Sequence, residues 1–192
     1  MYRTKYEFIL GSERSMRDGA TVRRIRALRD IPLHGVKAGD LGGYIESEAN
    51  LSPLGDCWVG GQACVWGKAF VGDSALVTGN TKVHGDVLVV QDARIEDRAS
   101  VRKSAEVSGR ARVRGAALVT GEAWVGDQAE VSGYATVKGR VQLCGRVVIS
   151  GSCVLSGDLR LDDKGVGDAE PVVDCGRRSS PQLAIPALAG QG

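Results

Sequence analysis

Residues 59–76 read VGGQACVWGKAFVGDSAL, and residues 101–118 read VRKSAEVSGRARVRGAAL. In both stretches a Val returns at every sixth position. The series runs Val59, Val65, Val71, Val77, Val83, Val89, Ile95 and onward through Leu143, Ile149, Leu155 and Leu161, eighteen hexads without an insertion. Four residues after each aliphatic comes a small residue, Ala63, Ala69, Ala75 and Thr81 among them, continuing through Ala135. Two residues after nearly every one comes a turn former, Gly in most hexads and Asp at Asp73, Asp97, Asp127 and Asp163. The unit is V-x-G-x-A-x. An α-helix needs an apolar period of 3.6, so a period of six excludes it. In a short strand the β-branched Val points inward and its neighbours outward. Gly or Asp permits the positive φ of a corner, and a corner leaves room for little beyond the methyl group of Ala.

Three flat sides and three corners close a triangular coil of 18 residues. The eighteen hexads predict about six coils stacked at about 4.8 Å, a prism of roughly 29 Å. Stacking buries what no single coil buries alone. The expected fold class is therefore all-β, a single-stranded parallel β-helix.

Working outward, residues 1–44 lack the hexad. Lys5–Leu10 and Thr21–Leu28 read as two strands around a polar turn at Ser15–Gly19, a β-hairpin cap over the open edge of the first coil. Ile45, Ala49 and Leu51 read as the first repeats, with two extra residues near Pro53–Gly55. At the other end the small position enlarges to Val141, Val147, Cys153 and Leu159. Residues 164–192, with the apolar run Leu183–Leu188, read as a cap or strap. The division is thus 1–44 cap, 45–163 β-helix and 164–192 C-terminal segment.

The whole chain, 192 residues, is 43% hydrophobic but only 5% aromatic, so its core is expected to be small aliphatics. A formal charge of +2 implies no nucleic-acid-coating role, and no run of apolar residues is long enough for a membrane span. Five cysteines at irregular spacing suggest free thiols, no metal motif and a cytoplasmic setting. Cys57 and Cys153 fall at small inward positions, while Cys64 and Cys144 are expected to point outward.

V-x-G-x-A-x over residues 59–161 resembles the hexapeptide-repeat, left-handed β-helix proteins. Upstream, Arg24-Ile25-Arg26-Ala27-Leu28 with Gly39-Asp40-Leu41-Gly42-Gly43-Tyr44-Ile45-Glu46 is similar to a segment that precedes such repeats in uncharacterised bacterial and phage proteins, some called acyltransferases by analogy. The resemblance implies left-handed winding and a homotrimer. It also implies two competing functions. One is a non-catalytic binding or scaffold protein acting through flat faces on a protein partner, as a phage or mobile-element inhibitor of a host protein does. The alternative is a CoA-dependent acyltransferase using acetyl-CoA and a His general base.

For the second reading His84 is the catalytic candidate, one residue beyond Val83 and beside Gly85; an exposed surface His is the plainer reading. Two features oppose catalysis. No loop interrupts the hexads to build an acceptor site, and two histidines are too few for the zinc site of the related carbonic anhydrases. For the first reading, Phe70, Leu88, Val90 and Trp124 fall on one side of the triangle. Large apolar groups on an outward β-face call for a partner or for cover by the chain's own ends. Trp58, Trp66 and Leu118 fall on the other sides. Finally, Arg94, Arg98, Arg102, Arg112 and Arg114, with Lys103 and Arg110, cluster within two coils, as an anion site or as a surface network balanced by Glu96, Asp97 and Glu106.

Overall fold

A computed structural model describes residues 4–163 and the backbone of residues 172–175. The chain is all-β, a parallel stacked-coil solenoid of about seven turns whose hand agrees with the left-handed expectation. Its first face stacks Leu41–Ile45, Cys64–Gly67, Lys82–Gly85, Ser100–Lys103, Leu118–Gly121, Thr136–Val137 and Val154–Leu155. The second runs from Trp58–Val59 through Leu76–Val77, Arg94–Ile95, Arg112–Val113, Glu130–Val131 and Val148–Gly151 to Val172–Cys175. On the third lie Phe70–Val71, Leu88–Val89, Glu106–Val107, Trp124–Val125, Gln142–Leu143 and Arg160–Leu161.

From Trp58 to Leu161 each rung pairs with the residue 18 positions on, as in Val83↔Val101 and Val101↔Val119. The inward Val, Ile and Leu residues from Val59 to Ile149, and Ala63 through Ala135 at the corners, are sealed from solvent. The turn count exceeds the expected six because residues outside the strict hexads join the stack. Leu41–Ile45 pairs in parallel below Cys64–Gly67, Leu51 bridges to Val71, and Val172–Cys175 pairs above Val148–Gly151. The rest of residues 164–192, including the expected strap and its run Leu183–Leu188, lies outside the described residues.

Corners at Asp73, Gln91, Asp97, Lys103 and Asp127 hold positive φ without being Gly. Most repay that strain locally. The side chains of Asp73, Gln91, Asp97 and Asp127 each accept the backbone N–H one coil above, at Gln91, Gly109, Gly115 and Gly145. At Gly109 a Cβ would sit 2.6 Å from the Asp127 carbonyl, so packing as well as φ requires Gly there.

The N-terminal strands are β1 (Tyr6–Phe8), β2 (Arg14–Ser15), β3 (Thr21–Ala27) and β4 (Leu41–Ile45). The hairpin does more than lie across an open edge. β1 and β3 run antiparallel and extend the first-face sheet past β4, in the order β1-β3-β4. Tyr6, Ile25, Ala27, Ile31 and Val36 thereby join the solenoid's core and close its lower end. Lys5 completes the plug. It is fully buried, and its ammonium donates to the Leu54 and Gly55 carbonyls at 3.2 and 3.3 Å and to the Cys57 thiol at 3.0 Å. Burial pulls the Lys5 pKa down and pushes the Cys57 thiol up. No helix among the described residues is long and apolar enough to cross a membrane.

Candidate functional site

The cap continues over two of the three faces. On the first, the β2–β3 hairpin packs Met16, Ala20 and Val22 against Tyr44, Cys64 and Trp66, and the Trp66 indole donates to Asp18 at 2.7 Å. This explains why Cys64, expected to point outward, is buried; Cys144, also expected outward, is buried as well. On the second face, the segment of the helical turn Pro32–His34 lies beside Trp58 and Leu76, which line one shallow cavity with His34, Val36 and Leu41. Gly42 in β4 lets the Trp58 ring lie close against that strand, since a Cβ there would lie 2.7 Å from the ring. The thiols also depart from expectation at Cys153, which is disulfide-bonded.

The structure places all four expected docking residues on the third face. Phe70 and Leu88 are vertical neighbours, followed in the same column by Glu106 and Trp124. Phe70 is 36% exposed and Leu88 37%. Val90 lies one column over, where it lines a groove of about 450 Å³ with Asp73, Gln91, Glu106, Ser108 and Trp124. The Trp124 indole donates to the Ser108 hydroxyl at 2.9 Å.

A local sequence signal flattens this face. Phe70 and Trp124 are each followed two residues later by Gly. A Cβ on Gly72 would lie 2.6 Å from the Phe70 ring, and one on Gly126 would lie 2.3 Å from the Trp124 ring. Both rings therefore lie down over a glycine. The triplet aromatic-Val-Gly, also present at Trp58-Val59-Gly60, is the legible trace of a flat aromatic surface.

His84 is half-buried. Its ring stacks on Trp66 at 4.3 Å and 6°. Burial holds its pKa below the ordinary histidine value; Asp18 from the cap opposes that shift, and Arg102 and Lys82 add to it. The nearest influential carboxylate is thus Asp18, which sequence proximity did not indicate. Among the described residues no hydrogen bond orients either His84 ring nitrogen, and no group of three or more His, Cys, Asp or Glu side chains could hold a metal ion.

The arginines do not converge as one patch. Arg94 and Arg112 stack in register on the second face, as expected. Arg102 is on the first face, level with His84, and Arg98 turns the corner after Asp97. Arg114 is on the second face, but its guanidinium is held by Glu130 at 2.6 Å, a bond that raises its pKa. Arg98 and Arg102 therefore lie apart from Arg94 and Arg112, because an 18-residue coil sends neighbours in sequence to different faces, and Arg114 is engaged by Glu130. Arg110 instead takes their place beside Arg94 and Arg112, where the three line a common cavity with His34. Neither a scan against protein-family models nor a search of the curated proteins finds a match for this chain.

Proposed function

We propose that the chain is a non-catalytic β-helical binding or scaffold protein that docks through its third face, and that the first occupant of that face is a second copy of the chain in a closed homotrimer. One observation carries this reading. The cap covers the apolar groups at the start of the first and second faces, while the column of Phe70 and Leu88 on the third stands half exposed. A copy of the same chain meets such a face rung for rung, because both share a strand spacing of about 4.8 Å. Rings lying flat over Gly72 and Gly126 suit a plane-to-plane contact. His84 supports the non-catalytic side: its ring lies against Trp66, and its lowered pKa is set chiefly by burial.

Sedimentation velocity of the full chain and of Leu88→Glu tests the assembly. A trimer that the substitution reduces to a folded monomer supports the reading; a monomeric parent chain at micromolar concentration overturns the second-copy occupant and leaves a different protein, such as a host target, to be sought. A thermal-shift titration with acetyl-CoA tests the acyltransferase alternative. Binding at 100 times Kd adds about 2.7 kcal/mol of stability, and a saturable shift lost in His84→Ala would displace the scaffold reading.

A further inference from the structure

We propose that the second face carries a binding site for a small tetrahedral oxyanion, a phosphate or sulfate group, formed by Arg94, Arg110 and Arg112 under the Pro32–His34 turn. This inference is independent of docking on the third face. The site is a cavity of about 300 Å³ lined by the three arginines with Leu33, His34, Ser74 and Asp92.

Three observations point to an anion. First, Arg94 and Arg112 are direct partners in a parallel ladder. Like charges so placed repel, and nothing in the repeat demands them, since the same column holds Leu76 below and Glu130 above. Second, the arginines are poorly neutralised. The Arg94–Glu96 contact is 3.8 Å and the Arg110–Asp92 contact 4.0 Å, both too long for a hydrogen bond, and Arg112 has no ion-pair partner among the described residues. Arg114 nearby shows the contrast, with Glu130 at 2.6 Å. Third, both ring nitrogens of His34 are buried at the cavity wall, where among the described residues only the Ser74 backbone comes within reach of the ring. Burial and then the Arg94 charge hold the His34 pKa down. An oxyanion at this wall offers acceptors to the single N–H of neutral His34 and to three guanidinium forks at once.

Asp92 is the one carboxylate in the lining, and it opposes an anion. It therefore supplies a test of opposite sign. Isothermal titration with inorganic phosphate and with sulfate at low ionic strength is expected to show saturable 1:1 binding at millimolar concentration or below, with acetate at least about tenfold weaker because it presents fewer oxygens. Arg112→Gln is expected to weaken phosphate binding about tenfold or more, and Asp92→Asn to strengthen it severalfold. Both variants should keep the parent far-UV spectrum, since each side chain lies outside the core. Two results would overturn the site: no saturable heat with phosphate or sulfate up to about 10 mM, or an affinity that Arg94→Gln and Arg112→Gln leave unchanged while the fold is intact.

Discussion

Lys103 and Gln91 occupy the same kind of corner and should respond to glycine with opposite signs. Both hold the left-handed conformation, with φ of 67° and 61°. A non-Gly residue pays roughly 1–2 kcal/mol for that conformation. Glycine removes this strain but adds about 0.4–1 kcal/mol of unfolded-state freedom. Lys103 has no side-chain hydrogen bond among the described residues, so Lys103→Gly should stabilise the chain by about 0.5–1 kcal/mol. Gln91 differs because its Oε1 accepts the Gly109 N–H one coil above. Losing that bond costs about 0.5–1.5 kcal/mol, so Gln91→Gly should be neutral or mildly destabilising. For a chain of this length 1 kcal/mol moves the melting temperature by about 2–4 °C. Calorimetry on the two variants, with urea midpoints as a second measure, should put Lys103→Gly above the parent chain and above Gln91→Gly. Equal shifts for the two variants would mean that the side-chain ladder along the corners contributes nothing, and either equality or the reverse order would sink the account of non-glycine corners.

Ile95 is sealed between Val77 and Val113, and Ile95→Ala should cost about 2–5 kcal/mol in chemical denaturation. Thr81 sits at an inward corner with its hydroxyl buried and without a partner among the described residues, so the isosteric Thr81→Val should stabilise by about 1 kcal/mol, read as a higher urea midpoint. His34 and His84 both have pKa values lowered from 6.5. As pH falls through that value the unfolded chain binds protons before the folded one, so stability should decline below about pH 6.5 and hold above it. Melting curves from pH 7 to 5 should show the decline, and His84→Gln should lessen it. Gly126→Ala drives a Cβ into the Trp124 ring and should lift the indole off the third face, seen as a red-shifted tryptophan emission.

The solenoid itself was legible because the repeat is strict: a residue's place in the hexad fixes whether it points inward, outward or round a corner. That is why Phe70, Leu88, Val90 and Trp124 could be assigned to one side, and Arg94 set beneath Arg112, from spacing alone. What could not be read this way depended on the cap, which has no period. Cys64 and Trp66 look outward in the hexad but lie under Met16 and Ala20. Lys5 looks like a surface charge near a terminus, yet it is buried against Cys57. Arg110 sits at a corner, and only the fold of Leu33 and His34 over the second face reveals that it shares a cavity with Arg94 and Arg112.

The interior of this prism is filled by Val and Ala from coil to coil, so nothing can bind or react there, and any function must lie in the outward columns. A repeat that only had to fold could fill those columns with interchangeable polar residues. Two columns depart from that minimum. The third face lays aromatic and aliphatic groups down over glycine, and the second face stacks two arginines. Both departures sit where the cap's cover runs out. Trp58 and Leu76 lie beside the cap segment, and the next rung of the same column is Arg94. The cap is thus more than an end-stop against edge-to-edge pairing. Its Pro32–His34 turn hides the apolar half of the second-face column and supplies one wall to the charged half. Phosphate at the oxyanion site should therefore protect the cap along with the arginines, raising the resistance of Ile31–Asp40 to hydrogen exchange while leaving the corner amides near Gly139 and Gly157 unaffected.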